Sequence, residues 1–114
     1  SVCPAVLDAI RQAKGDAQRV VITLDPRRDT PSTLPRLAND WRLGDDTLLL
    51  SGSVADVEEA ARAFRVSTDR NPRTGEIAHP GLVFVIDGRG RIRYTLNGPS
   101  ASWLTEALAR SAAQ

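Results

Sequence analysis

The chain carries one cysteine and one histidine, Cys3 and His79, and these are the side chains with the most chemistry to offer. A lone cysteine has three readings: an inert core residue, a nucleophile, or part of a site whose other members lie elsewhere. A thiolate and an imidazole brought together would suit a copper or zinc ion, or a Cys–His nucleophile pair. A lone histidine is more often a surface or hydrogen-bonded residue than a ligand. A third stretch, "DPRRDTP" over 25–31, sets two carboxylates, two guanidiniums and two prolines after an apolar run. Its plainest reading is a self-paired turn in which Asp25 and Asp29 cap local N–H groups while Arg27 and Arg28 stay solvated. Asp25 is the residue there to watch, because it ends the apolar run.

These residues need elements to hold them. Pro4 suits a first helical position, where its missing N–H costs nothing, and Val6, Leu7, Ile10 and Ala13 then share one face before Gly15 stops the helix. Cys3 would stand at that helix N-terminus, where the dipole and free N–H groups favour a thiolate. "RVVITLD" (19–25) reads as a buried strand, and "TLLLSG" (47–52) as a second. Between them a helix runs to about Trp41, with Leu34, Leu37, Ala38 and Trp41 on its apolar side. Pro35 inside it argues for a late start, with Ser32 as cap. Ser53 caps a helix over 53–64, striped by Val54, Val57, Ala61 and Phe64. The segment 65–81 has no period and many breakers, and reads as a long loop ending at His79. "LVFVID" and "RIRYTLNG" around "GRG" predict a β-hairpin, and a last helix turns Trp103, Leu104, Leu108 and Ala109 inward. This order is that of an α/β fold with a parallel crossover and an antiparallel edge. Its first helix is fed by no strand.

The totals set bounds. With 114 residues, 41% of them hydrophobic, the chain suits a single domain with its own core. A net charge of +1 offers no broad basic field for nucleic acid. The basic residues are almost all arginine, with Lys14 the single lysine. No apolar run is long enough to cross a membrane, no signal peptide is visible, and one cysteine cannot form an internal disulfide.

Three landmarks, taken in order, resemble the Sco/SenC family of thioredoxin-fold copper proteins. Cys3-Pro4 resembles the second half of that family's C-x-x-x-C-P motif. "VVITLDPRRDTP" resembles its apolar strand followed by D-P-x-R-D-T-P, the most specific of the matches. His79, followed by "GLVFVIDGRGRI", resembles the ligand histidine ahead of a strand ending in I-D-x-x-G-R. The likeness runs from Ser1 to about Leu96.

The resemblance implies a thioredoxin-like fold, a central mixed sheet flanked by helices, with the strand that precedes the cysteine motif missing from the chain. It implies one Sco/SenC domain over 1–114, incomplete at its N-terminus, with the first motif cysteine expected four positions before Cys3. A copper ion would be bound by Cys3, His79 and that upstream cysteine. The copper would pass to the dinuclear copper centre of a cytochrome c oxidase subunit. The place implied is extracytoplasmic, in the periplasm or on the outer face of the cytoplasmic membrane, with a membrane tether in the full-length protein. Pro80, directly after the histidine, departs from the family pattern and is similar to the proline before a strand in thioredoxin and TlpA-like reductases. A thiol–disulfide oxidoreductase, with Cys3 as the catalytic thiol and a thioredoxin-like reductant as partner, is the alternative. A third reading is a non-catalytic binding domain.

Overall fold

The computed structural model describes residues 4–67, 69, 71–75 and 81–112. Cys3, His79 and Pro80 therefore lie outside the described residues. The chain forms two compact units, one built around 18–75 and the other from 4–17 together with 81–112.

The first unit holds the crossover. Strand β1 (Arg19–Ile22) pairs in parallel with β2 (Thr47–Leu50), Arg19 opposite Thr47 and Ile22 opposite Leu50. A 3-10 turn (Pro31–Thr33) and helix α2 (Leu34–Asp40) make the connection, and α3 (Val54–Ala63) follows β2. As Pro35 argues, the regular helix starts late, at Leu34, with Thr33 and not Ser32 at its N-cap position; Pro35 then falls in the first turn, where no intrahelical donor is needed. Ser53 caps α3 as its type predicts, Oγ accepting from Asp56 N–H at 3.1 Å, and Val57 and Ala61 are buried. The expectation of a buried strand over 19–25 needs correction. Its ladder is shorter, and alternate residues, Val20 and Ile22 on β1 and Leu48 and Leu50 on β2, are exposed. A two-stranded pair covered on one face hides only every second side chain.

The second unit is a hairpin under two helices. Strand β3 (Leu82–Ile86) pairs antiparallel with β4 (Ile92–Asn97). Helices α1 (Pro4–Gln12) and α4 (Ala101–Ala112) flank it. Ala9, Ala13, Val85, Leu104 and Ala107 form the buried centre, with Val83, Tyr94, Leu96 and Leu108 packed against it. Small residues let the helices approach closely. A Cβ at Gly15 would stand 3.1 Å from Leu108 Cδ1, on a backbone with φ of +148° that other residues rarely adopt. Such a seam has no room for an indole. Trp103 and Ala109, expected inward, are exposed, and the inward stripe is Leu104, Ala107, Leu108 and Ser111.

Two helices end on non-glycine residues in the left-handed region, Arg42 (φ 56°) after α2 and Arg65 (φ 58°) after α3. Each closes a Schellman-type cap: Leu43 N–H donates to Ala38 C=O at 2.9 Å, and Val66 N–H to Ala61 C=O at 2.8 Å.

Candidate functional site

Of the residues singled out by type, the described structure resolves the segment 25–31. The backbone leaves β1 at Ile22, and Thr23 N–H still donates to Leu50 C=O at 3.1 Å. Beyond it the chain closes on itself. The Asp25 carbonyl accepts from the N–H groups of Arg28 (3.1 Å) and Asp29 (2.9 Å). Pro26 is buried, and its fixed φ suits the second position of such a turn. Thr30, Pro31 and Thr33 then start the 3-10 turn, Thr33 Oγ1 donating to Thr30 C=O at 2.9 Å.

Side chains tie this turn to the sheet. Thr23 is buried and works both ways: Oγ1 donates to Asp29 Oδ2 at 2.6 Å and accepts from Asp25 N–H at 2.9 Å. Ser51, just past β2, donates its hydroxyl to the Asp29 carbonyl. Asp25 is buried, and its carboxylate meets the Arg28 guanidinium at 3.5 Å. A buried carboxylate would be costly without such partners. The geometry therefore bears out a self-paired turn but changes its wiring. Asp25 caps through its carbonyl, and Arg27 and Arg28 are both exposed as expected, with Arg28 ion-paired to the Asp25 carboxylate. Arg28 also reaches the loop near Gly75, its Nη2 lying 3.9 Å from where a Cβ there would sit.

Residue type and spacing do not single out Thr23 or Ser51. Thr23 does leave a mark: it is the one hydroxyl inside an otherwise Val/Ile/Leu run. Ser51 leaves none, because its contact spans |i−j| of 22.

The hairpin end is the other polar construction. Asp87 Oδ1 accepts from Arg89 N–H (2.9 Å) and Arg91 N–H (3.0 Å), while Gly90 N–H donates to the Asp87 carbonyl at 3.0 Å. The Arg91 N–H bond, with help from that of Arg89 and the charges of Arg91 and Arg93, holds the Asp87 carboxyl below its ordinary 3.8, against a partial cost of burial.

For metal binding, no group of three or more His, Cys, Asp or Glu among the described residues could hold an ion. The two expected ligands, Cys3 and His79, lie outside those residues. What is described next to them in sequence is α1, which begins at Pro4, and β3, which begins at Leu82.

Comparison with known proteins adds an independent line. The SCO1/SenC family model matches residues 1–112. An SCO2-like protein of Rickettsia prowazekii (strain Madrid E) is 28% identical over 102 residues, covering 79% of this chain and 49% of the relative. Another SCO2-like protein, from Rickettsia felis, is 32% identical over 79 residues, covering 65% of this chain and 39% of the relative. The chain thus spans less than half the length of either relative. No solved structure matches at the same stringency. A parallel crossover, an antiparallel hairpin and flanking helices are compatible with a thioredoxin-like fold. With the family match running through all of these elements, the chain belongs to the SCO1/SenC family.

Proposed function

We propose that this chain is the copper-handling part of a Sco-type metallochaperone. The observation that carries the reading is the family match over 1–112, which includes Cys3-Pro4, the 25–31 turn and His79 in one continuous stretch. Cys3 as thiolate and His79 as imidazole form a donor set suited to copper, which takes both ligand types. The helix starting at Pro4, next in sequence to Cys3, would favour the thiolate through its free N–H groups. Copper is the cargo. Its recipient is the dinuclear copper centre of cytochrome c oxidase, and the setting is extracytoplasmic.

The test is a Cu(I) titration of the reduced full-length protein against a competing chelator. Cys3→Ser is expected to weaken Cu(I) binding by no less than the roughly 10–100-fold that loss of an outer-shell partner costs, and His79→Ala to weaken it too. Absence of copper uptake by the reduced wild type would sink the reading.

Pro80, between His79 and β3, favours a second one: a thiol–disulfide reductase in which Cys3 is the redox thiol and His79 tunes it. Turnover of a disulfide substrate without copper, lost in Cys3→Ser but kept in His79→Ala, would decide for it.

A further inference from the structure

The end of the β3–β4 hairpin, "DGRGRIR" over 87–93, supplies no ligand in the copper reading. It places three arginines within five residues, and all three are exposed. The one acid among them is turned inward. The Asp87 side chain is only 9% exposed and spends its carboxylate on two backbone N–H groups and on Arg91 at 3.8 Å. Among the described residues, Arg89 and Arg93 form no ion pair. The tip therefore presents positive charge outward.

Apolar surface lies beside it. The ladder slips between Val85 and Ile86: Val85 faces Tyr94, but Ile86 faces Ile92, so Ile92 and Arg93 together oppose Ile86. At this bulge the strand ends leave the helix-covered core. Ile86 and Ile92 are 47% and 48% exposed, a paired apolar wedge next to the three arginines.

We infer that this hairpin tip docks on an anionic bilayer surface, Arg89, Arg91 and Arg93 meeting lipid phosphates while Ile86 and Ile92 enter the headgroup boundary. Basic side chains around a small exposed apolar wedge are the composition of an interfacial contact. Size favours lipid over an acidic protein. A stable protein interface takes about 20–30 residues a side, whereas this tip is a seven-residue turn. The contact needs no membrane-crossing helix, and no described helix is long and apolar enough to be one.

Vesicle co-sedimentation tests it, with the protein added to phosphatidylcholine vesicles and to vesicles in which about a third of the lipid is phosphatidylglycerol. Binding is expected on the anionic vesicles alone and should fall as salt rises. In Arg89→Glu/Arg93→Glu the partition coefficient should drop by an order of magnitude or more, at about five-fold for each cation removed. Ile92→Ser should weaken binding with its salt dependence unchanged. Both variants change exposed side chains, and unfolding midpoints check that they fold. Equal binding to neutral vesicles, or full binding by the double variant, would overturn the inference. So would capture on polyglutamate with no vesicle binding, which would assign the tip to an acidic protein.

Discussion

Two turns in this chain start from the same ingredients, and they diverge. Asp25-Pro26-Arg27-Arg28 follows β1; Asp87-Gly88-Arg89-Gly90-Arg91 follows β3. At the first, aspartate is buried, its carbonyl closes the turn, and hydroxyls from Thr23 and Ser51 lock the next aspartate to the sheet. At the second, the carboxylate itself takes two of the turn's N–H groups beside the one its carbonyl accepts, while the arginines are exposed at both turns. The difference teaches that an Asp-then-Arg turn has no role of its own. Proline and a nearby strand make it a buried network, and two glycines make it an exposed cationic tip.

The largest expected effect sharpens the contrast from below the hairpin. Leu104, 3% exposed, packs beneath β3, and Leu104→Ala should cost about 3 kcal/mol in urea unfolding. The exposed tip would thereby be shown to depend on the core under it and not on its own turn. Next comes Thr23→Val. It strips a part-buried carboxylate of a donor and a buried N–H of its acceptor, so a loss of about 2 kcal/mol is expected. A neutral Thr23→Val would erase the distinction between the two turns. Smaller, and of opposite sign, is Arg65→Gly at the left-handed cap of α3, which should raise stability by about 0.5–1 kcal/mol in the same assay.

The smallest effect belongs to Asp87 and appears only in acid. Its folded value lies below the ordinary 3.8, so its contribution is fully present above that value and is lost as pH falls through the lower, folded one. Between about pH 5 and pH 2 the urea midpoint of wild type should fall more steeply than that of Asp87→Asn. Equal acid slopes would mean that the capping carboxylate contributes nothing the amide cannot.

Local signals are legible in the sequence. Pro4 at a helix start, Ser53 as cap and the Gly-rich hairpin turn each depend on neighbours within a few residues, and each stands where its type predicts. Orientation is harder to read. Helical spacing alone does not choose between adjacent stripes, so it allows Trp103 to face inward, whereas the folded helix buries Leu104 and Ala107 and leaves Trp103 exposed. A Val/Ile run such as the one after Gln18 looks the same whether one or both faces are covered, so its half-exposed state is hidden from pattern.

For the site the division is sharper. Residue identity and order, Cys3-Pro4, then D-P-R-R-D-T-P, then His79, carry the family and the donor chemistry, because which atoms can bind a soft ion is a property of side chains. The inner wiring of the 25–31 turn belongs to the folded chain. Thr23 and Ser51 reach Asp29 only after β1 and β2 align in parallel, and long-range pairing of that kind leaves no trace in short-range pattern. The same holds for the exposed hairpin tip: three arginines are written in the chain, but the inward turn of Asp87 and the bulge at Ile86 decide what they face.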